Sequence, residues 1–163
     1  MTDTQEYLLI EDAAGLEAFV KENEGIDWMG FDTEFIGEKR FYTLLCLIQI
    51  ATDNGNYLID AIKIKDLSPF FAMITNPDIM KISHAGENDY RILNQQWGII
   101  PKNTFDTQVA AAFVGYRYPL SFGKLLDKEI GVRISKGYMV TDWQARPLKA
   151  KQVKYALNDV IFL

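Results

Sequence analysis

The dipeptide Asn54-Gly55 narrows what this chain can fold into more than any other pair of neighbours. Both residues tolerate positive φ, and they stand between apolar runs at 44–51 and 57–60, so the two runs are expected to pair as an antiparallel hairpin. A third run, from Trp28 to Phe35, precedes them and makes the first three substantial strands an antiparallel meander. Residues 7–10 read as a short strand before it. Asp12 then offers an N-cap to a helix whose apolar residues Leu16, Phe19 and Val20 recur at helical spacing and which ends near Asn23-Glu24-Gly25.

Beyond residue 60 the pattern changes to alternation. Ser68-Pro69 supplies an N-cap and a first-turn proline, and Asn76-Pro77 stops that helix. A short strand at 79–83 leads through His84-Ala85-Gly86-Glu87-Asn88-Asp89 into a helix carrying Ile92, Leu93 and Trp97, with Gly98 as its stop. A further strand near Thr104-Phe105 and helices at 107–114, 121–129 and from Lys149 to the end complete the chain. Antiparallel strands followed by strand–helix alternation predict an α/β fold, a mixed sheet with helices on both faces. Phe-Asp-Thr occurs twice, at 31–33 and 105–107; the second copy opens a helix, where Asp106 reads as a cap rather than a ligand.

At 163 residues and 48% hydrophobic content, the chain suffices for one domain with its own core. It contains no run of about 18 apolar residues, and it opens on polar and acidic residues, which predicts a cytoplasmic protein with no membrane association. The single cysteine, Cys46, lies within Leu44-Leu45-Cys46-Leu47-Ile48 and reads as a small buried apolar side chain. Net charge is −5, but residues 1–105 hold 8 Lys and Arg against 17 Asp and Glu, while residues 106–163 hold 9 against 5. This basic third is either an uneven solvated surface or a face that meets phosphates.

Chemistry concentrates on Gly30-Phe31-Asp32-Thr33-Glu34-Phe35. Strand alternation sends Asp32 and Glu34 to one face and Phe31, Thr33 and Phe35 to the other. Two like charges side by side among apolar residues need either solvent at an exposed strand end or a bound cation. Asp89, at the start of a helix, is either a cap to the helix dipole or a ligand. Asp159 is placed inside the last helix, on one face with Tyr155, where an aspartate has poor propensity and no capping role. If these four carboxylates converge, their oxygen chemistry selects hard cations, Mg²⁺ or Mn²⁺, over zinc. His84 serves either this site or the core.

These residues carry a resemblance. Phe31-Asp32-Thr33-Glu34-Phe35, His84-Ala85-Gly86-Glu87-Asn88-Asp89 and Tyr155-Ala156-Leu157-Asn158-Asp159 resemble, in order, the three motifs of the DEDD 3′–5′ exonucleases, and Tyr155 marks the tyrosine-bearing branch. Asp142-Trp143-Gln144-Ala145-Arg146-Pro147-Leu148 and Phe105-Asp106-Thr107-Gln108-Val109-Ala110-Ala111 are similar to ribonuclease D. The resemblance covers about Tyr7 to Leu163. It implies a ribonuclease H-like fold and a single exonuclease domain over 1–163, without the HRDC-type helical domain into which many ribonuclease D chains continue. Lys149 stands where a Ser or Thr would complete a capping box with Gln152.

The resemblance further implies that Asp32, Glu34 and Asp159 hold one of two divalent ions, that Asp32 bridges to the second, and that Asp89 holds the second directly or through water, with Tyr155 orienting the attacking water. The expected partner is a single-stranded nucleic acid with a free 3′ end, RNA favoured over DNA, and no obligate protein partner is expected. Phosphates would meet Lys136, Arg146, Lys149, Lys151 and Lys154; Phe35, Tyr42 and Trp143 either stack on terminal bases or belong to the core. The rival readings are a DNA-acting exonuclease, a nucleic-acid-binding module with an idle acidic pocket, and a metal-free carboxylate-pair hydrolase.

Overall fold

The computed structural model describes residues 6–37, 42–134 and 141–163. Lys136, one of the expected phosphate contacts, lies outside them. Among the described residues six strands form one sheet: β1 (Leu8–Ile10), β2 (Trp28–Ile36), β3 (Leu44–Thr52), β4 (Gly55–Ile59), β5 (Met80–Ser83) and β6 (Thr104–Asp106), in the spatial order β1-β4-β3-β2-β5-β6. The expected meander is present, since β2 pairs antiparallel with β3 and β3 with β4, while β1, β5 and β6 join in parallel. The helices are α1 (Ala13–Glu22), α2 (Ser68–Thr75), α3 (Glu87–Trp97), α4 (Thr107–Phe113), α5 (Phe122–Glu129) and α6 (Ala150–Asn158).

Local signals account for most ends. Asp12 accepts from Gly15 N at 2.8 Å to cap α1, and Asp106 accepts from Gln108 N and Val109 N to cap α4. Gly98 closes α3 in the left-handed region at φ 67°. At α2 the expectation needs correction: Leu67 is the N-cap and Ser68 is already helical. Asp66 Oδ1 accepts from Ser68 N at 2.9 Å, so the acceptor comes from two residues upstream.

The sheet buries two unlike faces. On one, Phe31, Ile48, Ile50 and Ile59 pack against Phe19 of α1, Phe70 and Ile74 of α2 and Leu93 of α3. On the other, Leu47 and Leu58 pack against Ala156 and Leu157 of α6 and against Trp143. Phe19, Phe31 and Phe70 are each 0% exposed, and such burial contributes about 2–3 kcal/mol per ring. Asp32 and Glu34 share the face covered by α6, because β2 alternates.

A β-bulge interrupts this platform beside the acidic pair. Glu34 lies opposite Leu47 but Phe35 lies opposite Leu45, so Cys46 is the extra residue. Its carbonyl accepts from Arg146 Nη2 at 3.0 Å. The same guanidinium holds Asp60, just past β4, through Nε–Oδ2 at 2.6 Å and Nη2–Oδ1 at 2.9 Å, and Nη1 donates to the carbonyls of Trp143 and Ala145. Every N–H of Arg146 has an acceptor.

The C-terminal end also differs from expectation. Helix α6 stops at Asn158, so Asp159 is its C-cap rather than an interior residue. The turn that follows lies directly on β2: a Cβ at Gly30 would stand 3.1 Å from Val160 O and 3.3 Å from Leu163 Cβ, so a side chain there would push the turn outward by a few tenths of an ångström. At the other end of α6, Gln152 Oε1 accepts from Lys149 N at 2.9 Å, which forms the half of a capping box that does not require a hydroxyl at Lys149.

Candidate active site

Asp32 and Glu34 project from β2 toward Asp159, and one carboxylate oxygen from each lies within 4.8 Å of the others. Among the described residues, no ion pair neutralises them. Burial is the largest cause of their raised proton affinity. It lifts Asp32 well above the ordinary carboxylate range, with Asp89, Asp159 and Glu34 adding to the effect. Glu34 is pushed up to about 9 by burial and then by Asp159 and Asp89. Asp159 is pushed up to about 7 by burial, against which a hydrogen bond from Tyr155 works. As a C-cap, Asp159 also faces the negative end of the α6 dipole, an unfavourable place for an anion without a cation beside it.

Asp89 arrives from the other side of the sheet. It sits in the first turn of α3, 6% exposed, and Thr33 Oγ1 donates to its Oδ1. It stands outside the three-carboxylate group but close enough to raise the proton affinity of Asp32 and Glu34. Its own value is pushed up to about 6 by burial, with the Thr33 hydrogen bond opposing. Sequence reasoning missed Thr33. The signal was there: a threonine pointing into a buried face needs a partner, and α3 lies on that face.

Tyr155 shares its hydroxyl with Asp159, and burial followed by the charges of Asp159, Glu34 and Asp32 raises its proton affinity above that of an ordinary phenol. It is a donor at neutral pH, not a base. Gln49 was also missed. It lies directly opposite Asp32 on β3, is 0% exposed, and neither of its amide atoms has a partner among the described residues.

The remaining expected site residues divide. Phe35 is 36% exposed beyond the bulge, and Lys149 is exposed at the start of α6. His84 gives both ring nitrogens to the protein, Nδ1 to Thr107 Oγ1 at 2.9 Å and Nε2 to Leu120 O at 2.8 Å, which leaves only its ring for a ligand. Two expectations are corrected. Trp143 is 2% exposed among Cys46, Leu47, Leu58 and Leu157, so its ring has no face open to a base. Arg146 is consumed by Asp60 and three carbonyls and has no donor left for phosphate.

The donor set fits divalent cations. Three half-buried carboxylates without a counter-ion among the described residues, a fourth alongside and an orphaned amide opposite Asp32 form a site that holds protons until positive charge replaces them. The sign of the pH dependence follows. Folded values of about 6 for Asp89, about 7 for Asp159 and about 9 for Glu34 lie above those of the unfolded chain, so the folded state binds the extra protons between the ordinary carboxylate range and pH 9. In EDTA, stability is therefore expected to fall as pH rises from 5 to 9, by about 5 °C or more in melting temperature, and Mn²⁺ should flatten the dependence. Thermal melts across pH with and without Mn²⁺ check this; an apo protein whose stability rises over that window would contradict the electrostatics.

Fold and site together define a 3′–5′ exonuclease domain. The 3′–5′ exonuclease family model matches residues 7–163, and the chain belongs to that family, which is divalent-metal dependent. Within it the likeness is to ribonuclease D. The Ribonuclease D of Bartonella henselae is 38% identical over 156 residues, covering 95% of this chain and 38% of that protein. The crystal structure of Escherichia coli RNase D superposes with a TM-score of 0.90 at 34% identity, over 95% of this chain and 41% of that one. The catalytic core of RRP6 from Trypanosoma brucei gives a TM-score of 0.91 at 26% identity, over 100% of this chain and 45% of that one. The chain thus spans about two-fifths of the length of the relatives it matches.

Proposed function

We propose that this chain is a ribonuclease D-like exonuclease domain that removes nucleoside 5′-monophosphates one at a time from the 3′ end of single-stranded RNA. The convergence of Asp32, Glu34 and Asp159, with Asp89 beside them and Tyr155 bonded to Asp159, carries the reading. Family membership supports it, as does the likeness to E. coli RNase D, itself an exoribonuclease involved in structured RNA processing.

Asp32, Glu34 and Asp159 would hold one divalent cation, and Asp32 and Asp89 a second; Mg²⁺ and Mn²⁺ both suit the all-oxygen donors. Cations held there would acidify the attacking water and neutralise charge on the leaving 3′-oxygen. Tyr155 keeps its proton and orients the attacking water through its hydroxyl. Thr33 fixes the rotamer of Asp89. Phe35 and Tyr42, both exposed, offer ring faces to the terminal bases, the ring of His84 borders the second motif, and Lys149 and Lys154 at the surface of α6 meet phosphates.

A 5′-labelled single-stranded RNA incubated with the protein and Mn²⁺ is expected to shorten in one-nucleotide steps, faster than the matched DNA, and to stay intact in EDTA. An RNA left whole in Mn²⁺, or shortened equally in EDTA, would overturn the reading. Faster loss of the DNA strand would reassign the substrate and leave the chemistry.

A further inference from the structure

The second Phe-Asp-Thr sequence has a use beyond capping α4. Asp106 ends β6 opposite Ser83, the last residue of β5, and its carboxylate therefore stands beside the turn that connects β5 to α3. It accepts four backbone N–H groups. Oδ1 takes Gln108 N at 2.8 Å, Val109 N at 3.3 Å and Ala85 N at 3.1 Å, and Oδ2 takes Gly86 N at 3.0 Å. Two of these belong to the helix it caps, and two belong to the turn that leads into another.

Helix α3 needs that help. Its N-cap is Gly86, which has no side chain to offer, and the N–H of that cap and of Ala85 before it are taken by Asp106 from the end of the neighbouring strand. The turn is also forced. Ala85 is held in the left-handed region at φ 59°, an uncommon place for a residue with a Cβ, and a Cβ at Gly86 would stand 2.5 Å from Ser83 Oγ and 3.2 Å from Tyr90 Cζ. Backbone in such a conformation persists only where its surroundings fix it. Thr107, the next residue of the same motif, adds contacts to His84 Nδ1 at 2.9 Å and Ser83 O at 3.0 Å. Asp89 lies three residues beyond Gly86, so the position of its carboxylate depends on where this turn launches α3.

We propose that Asp106 is a positioning residue for the reaction: through the Ala85-Gly86 turn it sets the place of Asp89 relative to Asp32, and thereby the affinity of the site for divalent cation. This rests on the reading of Asp89 as a cation ligand. The first Phe-Asp-Thr holds the carboxylate of Asp89, through Thr33, and the second holds the Ala85-Gly86 turn that leads to it, through Asp106. Asp89 is then located from two sides by two copies of one tripeptide. The charge of Asp106 also adds to the proton affinity of Asp89, in keeping with their proximity.

Capping and positioning can be separated. Asp106→Ser keeps a side-chain oxygen for Gln108 N and Val109 N but is too short to reach the turn as well. Asp106→Asn keeps one acceptor oxygen and turns an NH₂ toward an N–H donor. Asp12→Ala removes a cap of the same kind from α1 and serves as the stability control. Mn²⁺ binding is read by calorimetry and by the Mn²⁺-dependent rise in melting temperature, and RNA shortening is read as kcat and KM. D106S is expected to bind Mn²⁺ about 10-fold or more weakly and to lose kcat by a similar factor, with KM for RNA within about 3-fold of the parent, D106N between the two, and D12A unchanged in Mn²⁺ affinity.

D106S with parental Mn²⁺ affinity and kcat would overturn the proposal and leave Asp106 as a cap. So would a loss of Mn²⁺ affinity in D12A equal to that of D106S, since it would trace the effect to stability alone. If D106S does not fold, D106N with parental Mn²⁺ affinity would overturn the proposal equally. Failure of the underlying reading looks different: the parent itself would neither bind Mn²⁺ nor shorten RNA.

Discussion

Asp32→Asn is expected to lower the rate of RNA shortening by about 10³-fold or more while raising the melting temperature of the protein in EDTA. The two effects have one cause. Desolvation first, and then the charges of Asp89, Asp159 and Glu34, hold Asp32 well above the ordinary carboxylate range, so a neutral amide spares the apo protein the cost of either taking up a proton there or bearing the charge. The same change removes a carboxylate from the group that holds positive charge, and losing about 4 kcal/mol of transition-state stabilisation corresponds to 10³ in rate. Mn²⁺ should then stabilise the variant far less than the parent. Rates on labelled RNA and melts with and without Mn²⁺ test both signs. A variant with parental activity would remove Asp32 from the mechanism, and one less stable than the parent in EDTA would contradict the charge balance of the cluster.

Arg146→Ala is expected to destabilise the fold by about 3–5 kcal/mol, the usual consequence of leaving one partner of a buried ion pair uncompensated. The side chain of Asp60 is 1% exposed and would keep no counter-ion, while the carbonyls of Cys46, Trp143 and Ala145 would lose their donor. Arg146→Lys should rescue little, because one ammonium cannot reproduce a fork that grips a carboxylate and three carbonyls. Adding Asp60→Asn to Arg146→Ala should return part of the loss. Urea denaturation of the parent and these three variants gives the comparison. If Arg146→Ala melts with the parent but binds RNA weakly, Arg146 is a phosphate contact after all.

The sequence shows some of these features openly and hides others for physical reasons. Asn54-Gly55 announced the β3–β4 hairpin because the turn needs residues of that kind, and Asp12 and Gly98 marked helix ends for the same reason. Asp32 and Glu34 were readable because period-two alternation is local. Asp60–Arg146, by contrast, joins residues 86 positions apart, and nothing near Arg146 distinguishes a guanidinium bound for phosphate from one bound for a buried carboxylate. Trp143 is ambiguous in the same way, since an aromatic beside basic residues suits a base-stacking surface as well as the core in which it lies. The end of α6 is hidden because apolar spacing continues through Val160 while the helix does not; the carboxylate at 159 marks the stop. Ser68 misled at α2 because the acceptor, Asp66, lies just upstream of a residue that is itself a good cap.

Gly30 gives the site its jig. Residues 30, 32 and 34 alternate onto one face of β2: the last two carry carboxylates, and the first is bare, its empty place filled by the Val160–Leu163 turn that follows Asp159. One strand therefore bears two of the acids and also provides the berth for the segment that brings the third. The spacing within the triad is gauged against a single rigid ruler, so the connections around it can vary in length and composition without retuning the distances between the carboxylates.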